Sequence, residues 1–333
     1  MKKKTAKKST LQKNTVHALR IGIIAPSSVV PAEEFKKGVA HLEAAGFEVE
    51  VHPTVLGQDY FYPADDETRA KAFLEFAYRD DLDLIWCARG GYGATHLLPY
   101  LKKASQRKKP SKKTFLGYSD ATALLEFTRV NWGWNAIHSP MPSNTVFTNL
   151  KDTEWVSIIE QIEVATRGKK TSACSASSFS SLKPVFVPKP LAKKSITAPI
   201  VGGNLAVWNS LIGTPFAGNA RGKILFLEEI QENIPRINRM IHHLEQAGGL
   251  KGVKAIILGD FLDCHDSVMK VNDLPIRKIY PSEEALDFVF RTIAEKTGIP
   301  VWKNAPVGHG PNYHALGMGR RYCLDSKGNL KLI

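Results

Sequence analysis

Cysteine is scarce in this chain: Cys87, Cys174, Cys264 and Cys323 are scattered through 333 residues and form no CxxC pair. That spacing suggests neither a disulfide framework nor a zinc ribbon, and it leaves free thiols. Long apolar runs are missing too. No stretch approaches the roughly 20 apolar residues that cross a bilayer, and the opening "MKKKTAKKSTLQKNTVHALR" lacks the apolar segment of a secretory signal. A cytoplasmic protein with no membrane insertion is the expectation. No solenoid-length repeat is apparent, no GK[ST] follows a glycine cluster, and no HExxH is found.

Acid is absent from two segments. Residues 1–20 and 102–113 each carry seven Lys or Arg and no Asp or Glu, which together outweigh the net charge of +13. The remainder is close to neutral. Neither segment interleaves aromatics with its basic residues, so a solvated tail and loop are expected in place of a dedicated nucleic-acid surface. Composition elsewhere is ordinary for a globular protein, 43% hydrophobic and 23% charged, and the length allows two domains.

"RIGIIAPSS" reads as a buried strand ended by Pro and Ser, and "PAEEFKKGVAHLEAAGFEVEVHP" as a helix, a glycine stop at Gly46 and a second strand. The plan repeats with a helix over 65–79, a strand over 83–88, a glycine turn, a further helix, a strand over 114–118 and a helix over 120–130. Such alternation predicts a doubly wound parallel sheet, flavodoxin- or Rossmann-like, within 20–164. A basic flexible tail is expected over 1–19. Ser, Lys and Pro dominate about 165–199, which reads as a linker with one or two extended pieces. A second α/β domain is expected over 200–333, with strands at 223–230 and 253–261 and helices in "PRINRMIHHLEQAG" and "PSEEALDFVFRTIAEKTG".

Ser119 in "TFLGYSDATALLEF" falls at a strand-to-helix corner. There a side chain sits at the carboxyl edge of the sheet, and the amides from Asp120 onward lie at the positive end of a helix. A nucleophile elbow has that geometry, although GYSDA does not match GxSxG. The plainer reading is a helix N-cap, with Asp120 favouring the first turn. "ARGGYGAT", 88–95, also joins a strand to a helix, and its glycines let backbone amides approach an oxyanion or phosphate; an ordinary tight turn is the alternative.

A hydroxyl nucleophile needs a base, and a base needs an acid to orient it. Of ten histidines, His309 in "APVGHGPN" lies on a glycine-flanked loop, whereas His41, His96, His242 and His243 fall in helical patterns. "FLDCHD" offers Cys264, His265 and Asp266 at odd spacing and reads better as a surface turn than as a metal site. "KILFLEEI" ends in Glu228 and Glu229, which face opposite ways on a strand, so only one can serve the histidine. Both could equally form a solvated strand end.

Taken in order, "GIIAPSS", "ARGGYGATHLLPYL", "FLGYSDATALL", "IVGGNLAVWNSLIGTPF", "ILFLEEIQENIPRINRMIHHLEQAGGLKGVKAIILGDF" and "IPVWKNAPVGHG" resemble the serine peptidase family of murein-tetrapeptide LD-carboxypeptidases and microcin-C-type immunity peptidases. The resemblance spans about 21–320. It implies Ser119 as nucleophile, Glu228 as acid and His309 as base, with backbone amides of Asp120 and Gly91 as oxyanion donors. It also implies a second domain of swivelling-barrel type, a cleft shaped by Gly203 and Asn204, a homodimer, a murein peptide substrate, and no metal or organic cofactor. Arg89, beside Gly90, is a candidate for the substrate carboxylate, with an ion-pair role as its alternative. Two departures stand out: Glu229 replaces a common aspartate, and Ser139 a common glycine. Other expectations are an immunity-type peptidase acting on nucleotide conjugates, with Trp208 or Trp302 under the base, and a module that binds murein peptide or nucleotide without turnover.

Overall fold

The computed structural model describes residues 19–168, 178–180, 182–268, 270–271, 274–275 and 277–333. Residues 1–18 of the expected tail, part of the expected linker and Cys174 lie outside those residues.

The first half alternates strand and helix: β1 (Arg20–Ile24), α1 (Ala32–Ala44), β2 (Glu48–Val51), α2 (Asp66–Tyr78), β3 (Leu84–Cys87), α3 (Ala94–Ala104), β4 (Thr114–Gly117), α4 (Thr122–Phe127), β5 (Asn135–His138) and α5 (Asp152–Arg167). Capping sets several boundaries. Asp65 accepts from Thr68 N at 2.7 Å to start α2, and left-handed Gly168 ends α5. β3 is buried at all four positions because helices cover both faces of a parallel sheet.

The second half contains β6 (Lys183–Phe186), β7 (Ile196–Asn204), α6 (Leu205–Ser210), β8 (Ile224–Ile230), α7 (Ile234–Gln246), β9 (Ala255–Leu262), β10 (Lys270–Val271), β11 (Leu274–Pro275), α8 (Ser282–Thr297), β12 (Val301–Lys303), β13 (Leu316–Met318), β14 (Arg321–Leu324) and β15 (Leu330–Leu332). On α7 the buried residues Ile234, Ile237, Ile241 and Leu244 recur at helical spacing and form one apolar stripe.

The first sheet has the order β13-β5-β4-β3-β1-β2. Without β13 this is the flavodoxin-like order, whose direction reverses between β1 and β3. β13 arrives from near the chain's end and pairs antiparallel with β5. The second sheet, β15-β14-β7-β8-β9-β12-β6, curls into a half-barrel.

One apolar layer is shared by both halves. Phe73, Leu97, Phe115, Phe127 and Trp134 from the first pack in the same buried cluster as Ile200, Phe226 and Ile257 from the second. The carboxyl ends of β4 and β5 are thereby held close to the end of β8.

Candidate active site

The corner after β4 is strained. Tyr118 is extended, and Ser119, the first residue of a short helical turn over Ser119–Ala121, takes φ +59°, a backbone region that L-residues other than Asn and Asp seldom occupy. The Ser119 hydroxyl caps neither this turn nor α4. The simple N-cap reading is therefore not what the structure shows. Asp120, expected to favour its own helix, instead accepts from Ala94 N at 2.8 Å and so caps α3. Burial pushes its carboxyl up.

Gly90 has little choice of side chain, since a Cβ there would lie 2.9 Å from Ser119 Cβ and 3.0 Å from Ser119 Oγ. Gly91 takes φ +107°, and its Cβ would fall 2.2 Å from Ser28 Oγ. The loop is pinned to the end of β1 by Ser28 N donating to Gly90 O at 3.2 Å and Tyr92 N donating to Ser28 Oγ at 3.2 Å. The glycine loop thus sits at the switch point between β1 and β3, against the serine.

On β8 the two glutamates part as alternation requires. Glu228, wholly buried, accepts from His309 Nδ1 at 2.6 Å. Glu229 accepts from Asn204 Nδ2 and Ala206 N, each at 2.8 Å, and anchors the start of α6. Burial raises the Glu228 carboxyl, yet the His309 charge and the neighbouring imidazoles outweigh it and bring it down to about 2. Burial works against a charge on His309, but Glu228 reverses this and leaves the imidazole raised above 6.5.

The loop carrying His309 wraps around a third carboxylate. Leu227 pairs with Leu258 but Glu229 pairs with Phe261, so β9 bulges by one residue at Gly259 and Asp260. Asp260 accepts from Gly310 N at 3.0 Å. A Cβ on Gly310 would come within 2.3–2.5 Å of the Asp260 carboxyl group, and one on Gly308 within 3.2 Å of Asp260 and Glu228. The Asp260 carboxyl leaves no room for a side chain at 310, and φ +136° with close neighbours favours glycine at 308. Burial pushes Asp260 up to about 6.

Tyr118 brings the two halves of the site together, its ring 4.5 Å from that of His309. Among the described residues no hydrogen bond joins Ser119 Oγ to His309, and such contacts are often long until substrate binds. Reasoning from sequence missed Tyr118, Asp260 and His138. His138 ends β5 one strand from Ser119, and its place at the end of the apolar run "AIH" was the available signal.

Other expected residues fall differently. Arg89 is exposed, and its guanidinium donates to Val29 O, with no ion pair among the described residues. Gly203 approaches Thr122, where a Cβ would lie 2.5 Å from Oγ1. Asn204 is buried; its amide holds Glu229, and its Oδ1 caps α6 through Val207 N at 3.2 Å. Both polar ends of the Asn204 side chain are thus engaged within the fold. Trp208 and Trp302 are 1% and 6% exposed and lie in the core, so neither offers a stacking platform. Asp266 is held by Arg277 at 2.7 and 2.8 Å, and His265 contacts Ser282 Oγ at 3.2 Å.

A flavodoxin-like sheet ending near Ser119 is joined to a half-barrel whose strand β8 carries Glu228, an α/β architecture shared with the proteins that follow. Residues 21–139 match the LD-carboxypeptidase N-terminal domain and residues 197–324 the LD-carboxypeptidase C-terminal domain. The chain belongs to the LD-carboxypeptidase family. It is 32% identical over 252 residues to the "Putative carboxypeptidase" of Rickettsia conorii, covering 75% of this chain and 70% of that one. With the murein tetrapeptide carboxypeptidase of Pseudomonas aeruginosa it shares 25% identity over 313 residues, covering 92% and 93%. The muramoyltetrapeptide carboxypeptidase of Oxalobacter formigenes superposes with a TM-score of 0.70 at 27% identity, over 93% of this chain and 98% of that one. A microcin C7 self-immunity protein solved with glutamyl sulfamoyl guanosine has the same fold, with a TM-score of 0.72 at 22% identity over 95% and 96%.

Proposed function

We propose that the protein is a serine LD-carboxypeptidase that releases the terminal D-alanine of murein tetrapeptide in peptidoglycan recycling or remodelling. Ser119 Oγ attacks the carbonyl joining the L-configured centre to the terminal D-residue. His309 takes the serine proton and gives it to the leaving amine, while Glu228 holds the imidazole through Nδ1. The acyl-enzyme is then released by water. Amides of Asp120 and Gly91 face the oxyanion, each contributing about 3 kcal/mol in comparable sites, and Arg89 at the cleft mouth receives the free carboxylate. These steps use no metal and no organic cofactor. The reading places the enzyme in the cytoplasm as a homodimer.

The observation that carries this reading is a strained serine at φ +59° directly after Tyr118, whose ring lies 4.5 Å from that of His309, with His309 held by buried Glu228 at 2.6 Å. The relatives named for murein tetrapeptide hydrolysis support the substrate. A second reading, hydrolysis of peptidyl or acyl nucleotides, is supported by the immunity-protein fold. Any base stacking there would use Tyr92, which is 46% exposed beside the glycine loop, in place of the buried tryptophans.

Mass spectrometry of a murein tetrapeptide and of an aminoacyl sulfamoyl nucleoside, each incubated with wild type and Ser119→Ala, decides between them. Loss of one D-alanine with wild type alone is expected. Cleavage of the nucleoside conjugate only would transfer the assignment to the second reading, and binding without turnover of either would leave a binding module.

A further inference from the structure

Glu228 has two oxygens and only one hydrogen bond from an imidazole. Oε2 is taken by His309, whereas Oε1 is buried without a partner. Facing it at 3.8 Å is Nε2 of His138, which is also buried and unpartnered. An ionised carboxylate out of water strongly favours a second donor, and an orphaned buried ring nitrogen carries its own desolvation cost. At 3.8 Å both costs stand; a closure of less than 1 Å removes both.

The surroundings permit little else for this ring. His138 is 2% exposed, and its imidazole meets Tyr118 edge-on at 5.7 Å and Phe226 edge-on at 5.3 Å. Its backbone sits between Gly117 of β4 and Leu316 of β13. Tyr118 and Gly117 lead directly into Ser119. His138 therefore belongs to the nucleophile's sheet, while Glu228 and His309 belong to the other half.

We propose that His138 is a positioning residue whose Nε2–H donates to Glu228 Oε1 in the working site, fixing the acid from the sheet that carries the nucleophile. The contact then registers the two halves against each other at the carboxylate, and through it aims the His309 ring at Ser119. This rests on the serine-peptidase reading above for its consequence in catalysis, but not for the contact itself.

Donation from His138 also draws charge from Glu228 and weakens its hold on the His309 proton. Other titratable groups around the pair are Asp260 on β9, Tyr118 after β4 and Tyr313 beyond the His309 loop, with Glu229 on the opposite side of β8 acting on His309 through its charge alone. Each is left in place by a change at 138.

The test combines NMR with kinetics on the full chain. In 15N-histidine-labelled wild type, His138 Nε2 should be protonated at neutral pH, and its resonance should move in Glu228→Gln. His138→Phe should raise the titration midpoint of His309 and lower kcat about tenfold to a hundredfold with KM little changed, and His138→Gln, which retains a donor, should recover most of both. A proton on Nδ1 with none on Nε2, an Nε2 signal indifferent to Glu228→Gln, or a Phe variant with unaltered His309 titration would overturn the proposal. The wild-type labelling reads the contact even where a variant fails to fold. Absence of any wild-type peptide hydrolysis alongside the expected NMR shifts would sink the peptidase reading and leave the contact established.

Discussion

Replacing Glu228 with glutamine removes one charge from the most buried point of the site and keeps its shape. Glu228 stands at about 2 in place of 4.5, a difference worth about 3 kcal/mol. Loss of that coupling alone corresponds to roughly a hundredfold in rate. Comparable triads lose about 10⁴-fold when the histidine tautomer is also released, so kcat in Glu228→Gln should fall between these bounds. The pH dependence carries more information. Without the carboxylate, burial dominates His309 and its midpoint falls, so the acid limb of kcat/KM moves to lower pH. Stability follows from the same pair. Glu228 is depressed, so its contribution is present above 4.5 and is lost as pH falls towards about 2. His309 is raised, so its contribution is present below 6.5 and is lost as pH rises through the folded value. The gap between wild-type and variant urea midpoints should therefore be widest between about pH 4.5 and 6.5. Steady-state profiles and urea titrations across pH 3–9 check both. An acid limb that stays in place while kcat drops would refute the assignment of His309 as the group Glu228 controls.

Gly90→Ala forces a methyl to 2.9 Å from Ser119 Cβ, so kcat should fall about a hundredfold with only about 1–3 kcal/mol lost in stability, read by kinetics and thermal melting. Asp260→Asn removes a carboxyl held at about 6. A raised acid loses stability as pH climbs from about 3.8 to about 6, so the wild type should weaken relative to the variant by about 2–3 kcal/mol over that interval. Glu229→Ala strips the acceptor from Asn204 and Ala206 and should cost about 2–3 kcal/mol of stability, with kcat affected less than in Glu228→Gln; an equal loss of kcat would mean that the two glutamates share one role.

The first domain was readable because each of its elements announces itself locally. Apolar runs such as "RIGII" and "LIWC" alternate with capped helices, and 3.6-residue periodicity and glycine stops locate α1 and α2 within a residue or two. β13 to β15 were not readable: they are three or four residues long, and β13 exists only because β5 offers it an open edge some 180 positions upstream in the chain. The site divides in the same way. Glycine-flanked His309 and the Glu228–Glu229 alternation carry local signals, and Ser119 stands out by its corner. Asp260 depends on a bulge created by pairing between β8 and β9, and His138 on the meeting of two halves. Asp260 gives no signal in a window of sequence, and His138 gives only its place at the end of the apolar run "AIH". The tryptophans mislead for the opposite reason, since a large aromatic near a cleft motif suggests stacking, yet burial of Trp208 and Trp302 in the core contributes more than exposure would.

The most direct measurement is the rate and site of modification by a fluorophosphonate, followed by intact-mass and peptide mass spectrometry. The account expects a single adduct on Ser119, absent in Ser119→Ala and at least a hundredfold slower in His309→Ala. An adduct on another residue, or labelling of Ser119 at the same rate without the imidazole, would contradict the claim that His309 and Glu228 make this hydroxyl a nucleophile.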